Sequence, residues 1–232
     1  MNKKILIHSI VFSPDGVSTA YLYNDIALKF KEQGFKVVVL TTTPHYNVVE
    51  SELRKQPLKK KALGLYYESN FHGIKVKHVF QKKYKSTILR ILGFVYWHIV
   101  SFILGLMEKR VNYILSPSPP LTIGVINLLI GKLKKAKVIY NVQEIYPDLL
   151  IEEGGLKSKP VISVLKSMES YVYNKSDKVT TIDKVFYETI IPRFKDKDKL
   201  VIIPNFVDTE IYHPISIDNL KIDRTLFPET DS

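Results

Sequence analysis

The sequence predicts an α/β protein built on a doubly wound, mainly parallel sheet. Segments with strand patterning alternate with segments of helical periodicity along most of the 232 residues. Several strand segments, such as 36–42 (KVVVLTT), are apolar or β-branched throughout, as strands buried on both faces are. Helices intervene between the strands, so successive strands join through right-handed crossovers and lie parallel.

The elements follow in order. Residues 4–9 form a short β-branched first strand, and Ser13-Pro14-Asp15-Gly16 is turn chemistry. Ser18 is placed to cap a helix in which Ala20, Tyr23, Ile26, Ala27 and Phe30 recur at helical spacing, and Gly34 ends it. Strand two is 36–42. Residues 44–70 read as a long basic loop with interspersed aromatics. Residues 73–80 alternate as strand three, with Ile74, Val76, His78 and Phe80 on one face, and 86–109 form an apolar helix. Strand four (111–116), a proline turn (117–120), a helix (122–134) and strand five (136–142) follow. Beyond a Pro/Gly-punctuated stretch come a helix near 160–175, strand six (178–182), a short helix (184–191) and strand seven (200–203). The natural architecture is a Rossmann-like domain over 1–203, with 215–232 a polar, irregular tail.

Composition narrows the function classes. The absence of cysteine excludes disulfides, a thiol nucleophile, zinc–thiolate sites and iron–sulfur clusters. The formal charge of +11 calls for an anionic partner. Residues 51–110 hold thirteen Lys and Arg against three acids, a local excess of +10, so one region meets the anion unless it is simply a solvated basic loop. Inside that region 91–107 (ILGFVYWHIVSFILGLM) is uncharged for 17 residues, just short of the ~18 of a spanning helix, and carries His98 and Ser101. Lys59, Lys60, Lys61, Lys82, Lys83, Lys85 and Arg90 are candidates for an anionic membrane surface, with Tyr96 and Trp97 at its interface. The apolar run argues against nucleic acid as the partner. The apolar N-terminal run is broken at His8 and by Pro14-Asp15-Gly16, too early for a signal-peptide core.

Ligands of parallel sheets bind outside the carboxyl ends of the strands. The turn after strand one offers Gly16, Val17 and Ser18, whose amides at a helix start can hold a phosphate or carboxylate. There is no G-x-G-x-x-G, and the segment reads equally well as a plain turn. Just past strand five, Asn141, Glu144 and Asp148 cluster. Glu144 or Asp148 can orient an acceptor hydroxyl or act as a base; equally, Asp148 caps a helix and Glu144 is a surface acid. His45, following strand two, is a polar loop residue or a substrate contact. Asp196-Lys197-Asp198 is an acid-x-acid string in a lysine-flanked turn, and the six histidines lack ligand spacing, so no metal site is expected.

Four segments together resemble the N-terminal half of GT-B glycosyltransferases of family 4, in the branch that builds capsule, colanic acid and O-antigen. Residues 5–46 (ILIHSIVFSPDGVSTAYLYNDIALKFKEQGFKVVVLTTTPHY) resemble the opening strand, glycine loop, helix and second strand, with Phe35 in place of the usual His. Residues 116–148 (SPSPPLTIGVINLLIGKLKKAKVIYNVQEIYPD) resemble the "S-P-P" turn and "V-Q-D-x-x-P-D" strand end, with Glu144 for the common Asp. Residues 178–190 (KVTTIDKVFYETI) and 201–214 (VIIPNFVDTEIYHP) are similar to a later strand and to the motif "V-I-P-N-x-V-D-x-x-x-F-x-P".

The resemblance implies two Rossmann-like domains with the reaction between them, and 204–214 as the hinge. The donor-binding domain is not among these residues, so the chain is expected to be a fragment, a truncated product or half of a two-chain enzyme. What remains is the acceptor side. The implied reaction is retaining and hexosyltransferase-like, with no metal or cofactor beyond the nucleotide-sugar co-substrate. The sugar would pass to a lipid-linked saccharide at the cytoplasmic face of the cell membrane. Glu144 would be catalytic; Gly16, Val17, Ser18, His45, Asn141, Asp148 and Asn205 would bind substrate. The alternative is a non-catalytic, membrane-recruiting subunit that docks a separate donor-binding chain.

Overall fold

The computed structural model describes residues 3–82, 85–207 and 209. The expectations for Lys83, for 210–214 of the hinge motif and for the tail fall outside these residues. The first strand β1 (Lys4–His8) leads through α1 (Ser18–Glu32) to β2 (Lys36–Thr42). Then follow α2 (Glu50–Lys55), β3 (Lys59–Lys61), β4 (Tyr66–Phe71), β5 (Ile74–Val79) and the long helix α3 (Thr87–Met107). The rest is β6 (Tyr113–Ser118), α4 (Leu121–Lys134), β7 (Lys137–Val142), α5 (Asp148–Glu152), α6 (Lys159–Lys175), β8 (Lys178–Thr181), α7 (Lys184–Ile190) and β9 (Leu200–Ile202).

Among the described residues the strands form one nine-stranded sheet in the order β3-β4-β5-β2-β1-β6-β7-β8-β9. Every pair from β5 to β9 is parallel; β3–β4 and β4–β5 are antiparallel. The order reverses at β1: the chain moves outward to β2, returns through α3 to β6, then steps outward on the other side. This is the doubly wound pattern, a mostly parallel Rossmann-like α/β fold. Helix α1 covers one face, where Tyr23 and Ala27 pack on Ile5, Ile7, Val37 and Val39. Helices α3 and α4 cover the other, burying Trp97, Leu104, Ile123 and Ile130 on Leu6, Val38, Leu40 and Ile114. Helix α6 continues that layer through Val172 and Tyr173.

Three expectations are corrected. The stretch 44–70 is not a loop: α2, β3 and β4 occupy most of it. Aromatic-rich β4 (YYESNF) folds back on β5 through His72-Gly73, both at positive φ (47° and 83°), the geometry of a two-residue hairpin turn. Ser18 is the first residue of α1 rather than its cap; Val17 caps without a side-chain hydrogen bond. Strand β6 runs on through Pro117 to Ser118, paired with β7, where a turn is expected.

The end of α3 is pinned by a buried ion cluster. The Glu108 carboxylate lies 2.5 Å from the Lys77 ammonium on β5 and 3.1 Å from that of Lys4 on β1. Burial alone would raise its pKa, but the two cations hold the carboxyl below its ordinary value.

Candidate functional site

The carboxyl ends of β1, β2, β5, β6 and β7 converge on one border of the sheet, and most expected site residues follow them. The turn after β1 is stitched to the loop after β2. The Asp15 carboxylate accepts from the backbone N–H groups of His45 (2.9 Å) and Tyr46 (2.8 Å). The Gly16 N–H donates to the Asn47 carbonyl at 2.9 Å. A Cβ on Gly16 would lie 2.8 Å from both that oxygen and a Val49 methyl. The lack of a side chain at Gly16 thus admits the protein's own Asn47 carbonyl and Val49 side chain, and its amide is engaged within the chain. Val17 is half-buried and Ser18 exposed at the uncapped start of α1, leaving that helix N-terminus open at the border. His45 stacks on Tyr46, ring centroids 4.1 Å apart, and its Nδ1 lies 2.7 Å from the Thr43 carbonyl.

Asn141, at the end of β7, is buried and hydrogen-bonded at both ends of its side-chain amide. Its carbonyl oxygen accepts from the Tyr23 hydroxyl and from Gln143 Nε2 (2.6 Å), and its amide donates to Thr180 Oγ1 (2.8 Å). It fixes α1, β7 and β8 to one another. Asn205 forms a reciprocal amide pair with Gln143, at 2.8 and 3.1 Å, which ties the start of the hinge motif to the loop after β7.

Glu144 and Asp148 border one depression of about 270 Å³, completed by Ile145, Leu149, Glu152, Val185, Phe186 and Thr189. The Gly16 loop does not line this depression. The Glu144 carbonyl accepts from Ser118 Oγ at 2.9 Å, which fixes the backbone, and no cation pairs with its carboxylate among the described residues. Burial and the adjacent Glu144 carboxylate raise the pKa of Tyr146. Asp148, in contrast, is ion-paired to Arg193, with Lys166 at 3.7 Å. The same guanidinium meets Glu169 at 2.5 Å. Two acids around one arginine make a structural clamp between α5, α6 and the turn after α7.

Sequence reasoning missed a buried polar chain beside this border. Ser13 Oγ donates to Gln56 Oε1 (2.9 Å), Gln56 Nε2 to Ser69 Oγ (2.8 Å), and His78 Nε2 lies 2.7 Å from Ser69 Oγ. His78 Nδ1 is 3.0 Å from the Thr42 carbonyl, so Nδ1 carries the proton and Nε2 accepts from Ser69. Burial lowers the His78 pKa to about 4. His8 is likewise neutral, its pKa lowered by burial to about 4, with Nδ1 2.8 Å from Asn127 Oδ1. His78 falls on the expected inward face of its strand, which is the one signal that could have found the chain; Gln56 carries none.

The membrane candidates divide. Lys59, Lys60, Lys61, Lys82, Lys85 and Arg90 are exposed. Tyr96 is half-buried and donates to the Leu65 carbonyl at 3.0 Å. Trp97 is corrected: it is fully buried on the inner face of α3, with its ring 5.3 Å from that of His8, and it is closed to any interface.

No protein-family model and no curated protein matches the chain. Solved structures match its fold. Sucrose-phosphate synthase from Thermosynechococcus elongatus aligns with a TM-score of 0.62 at 10% identity, over 93% of this chain and 51% of that one. The catalytic domain of starch synthase IV from Arabidopsis thaliana, bound to ADP and acarbose, gives 0.59 at 13% identity over 95% and 55%. Anabaena HepE with UDP and glucose gives 0.57 at 13% over 94% and 48%. The chain thus spans about half the length of the structures it matches. Its fold is that of one half of a GT-B glycosyltransferase.

Proposed function

We propose that this chain is the acceptor-binding half of a GT-B glycosyltransferase, moving a sugar from a nucleotide donor to a lipid-linked saccharide at an anionic membrane. The reading places it in family 4, in bacterial surface polysaccharide synthesis on the cytoplasmic side, with retention of configuration and no metal or cofactor. The four-segment motif resemblance supports those finer points. The nucleoside diphosphates and sugars bound to HepE and starch synthase IV support the donor class. The donor would be held largely by a second domain or chain.

One observation carries the catalytic assignment: Glu144 lines an open depression at the carboxyl end of β7 without a paired cation, while its neighbour Asp148 is tied to Arg193. An ionised carboxylate there accepts the hydrogen bond of an acceptor hydroxyl and turns its lone pair toward the donor sugar. Positioning of this kind supplies much of the rate in such transfers. The open start of α1 offers amide dipoles to an incoming phosphate on the same border.

In an assembly that contains the donor-binding half, Glu144→Gln is expected to lower kcat by roughly 100-fold or more. The melting temperature should stay within a few degrees, since the side chain supports no ion pair. A near-normal kcat would remove the carboxylate from the mechanism.

A further inference from the structure

Helix α3 has two unlike sides. Trp97, Ser101, Leu104 and Gly105 face inward and are buried. Gly105 lies so close to α4 that a Cβ there would come within 2.6 Å of Ile130. On the outer side Ile88, Ile91, Val95, Ile99, Ile103 and Met107 recur every three or four residues and are exposed along the whole helix. The helix is long and apolar enough to cross a membrane, but crossing would strip its inner side from the sheet and α4. A helix packed on protein along one side and bare and apolar along the other is built to lie in an interface.

Charge brackets this stripe. Near its start stand Lys85 and Arg90, and the turn that Tyr96 ties to α3 presents fully exposed Leu63 directly after Lys59–Lys61. Its end runs into an open basin of about 940 Å³ at the amino ends of the strands, where Lys3, Lys36, Lys109, Arg110, Lys134 and Lys135 converge. Among the described residues no acid lines that basin; the adjacent Glu108 is turned inward to Lys77 and Lys4. At 1.5 Å per residue, two cationic clusters thus stand about 30 Å apart with an apolar strip between them.

We propose that α3 lies in the plane of an anionic leaflet, its outer stripe in the headgroup–acyl boundary, and that the amino-end basin holds the phosphates of anionic phospholipids. The basin fixes the orientation that the stripe alone leaves free, because attraction to lipid charge falls off within a Debye length. This rests on the membrane part of the function proposed above.

The test uses the full chain with vesicles of phosphatidylcholine, alone or mixed with phosphatidylglycerol. The chain should sediment with the mixed vesicles, and Lys109→Gln/Arg110→Gln/Lys135→Gln should weaken that binding by roughly tenfold or more without lowering the melting temperature. Binding that survives the triple substitution would overturn the basin while leaving membrane association intact; no binding by the unaltered chain would overturn both. Because the protein has no cysteine, Ile88→Cys, Val95→Cys and Ile103→Cys can each carry a single environment-sensitive dye. An in-plane helix puts all three dyes at one depth against lipid-borne quenchers. A gradient of depth from Ile88 to Ile103 would overturn the in-plane arrangement. Self-association that shields the dyes without vesicles would assign the stripe to a second copy of the chain and overturn the proposal.

Discussion

At the carboxyl ends of the strands, Ser13, Gln56, Ser69 and His78 form a chain of hydrogen bonds, and Asn141 is tied to Tyr23, Gln143 and Thr180. At the amino ends, Lys36, Lys109, Arg110 and Lys135 stand in solvent around a basin that no acid lines among the described residues. The buried polar groups of the first border are bonded to one another while Glu144 lines an open depression beside them; the second border is charged, wet and open. One sheet thus keeps a fixed frame at one end, where chemistry needs held geometry, and diffuse charge at the other, where a fluid partner needs only attraction.

Acid separates the two ends most sharply. His8 and His78 titrate near 4 when folded, against about 6.5 in the unfolded chain. A depressed folded pKa means the unfolded state binds the proton first, so this stability is present above about pH 6.5 and is lost as pH falls toward 4. Between pH 7 and 5 each histidine should cost about 2 kcal/mol, read as a falling urea midpoint. A flat stability profile from pH 7 to 5 would erase the contrast.

A smaller effect probes the frame itself. Gln56→Leu removes the centre of the polar chain, taking the acceptor from the Ser13 hydroxyl and one donor from Ser69, at a cost of about 1–3 kcal/mol in denaturant titration. A cost below about 0.5 kcal/mol would show that the chain is dispensable. The smallest effect has the opposite sign. Lys109→Gln/Lys135→Gln relieves repulsion in the basin and should raise stability by about 0.5 kcal/mol or less, a gain that fades as salt is added. A loss of stability on that change would mean the basin lysines have protein partners.

The parallel half of the fold was legible because each strand is an apolar run followed by a helix with clear periodicity. The β3–β4 extension was not: KKK and YYESNF carry no consistent inward face, and tight turns at 62–65 and at His72-Gly73, rather than pattern, join β3 to β4 and β4 to β5. At the site, the sequence located Glu144 and Asp148 on one loop but could not separate them, since the difference is Arg193, 45 residues on, which claims one carboxylate. It misread Trp97 for a general reason. An interfacial and a core tryptophan look alike in a 17-residue uncharged stretch, and only the packing of α3 on β1 and α4 decides which side of the helix turns inward.

The two outermost strands set how this sheet meets other chains. Strand β3 is three exposed lysines, and a strand arriving there would have to bring its backbone against a row of ammonium groups. Strand β9 is Leu200-Val201-Ile202, with Val201 and Ile202 40% and 38% exposed, and it carries no such guard. Among the described residues, growth of the sheet by strand addition is therefore guarded at β3 and unguarded at β9, so intermolecular pairing is favoured at the β9 margin.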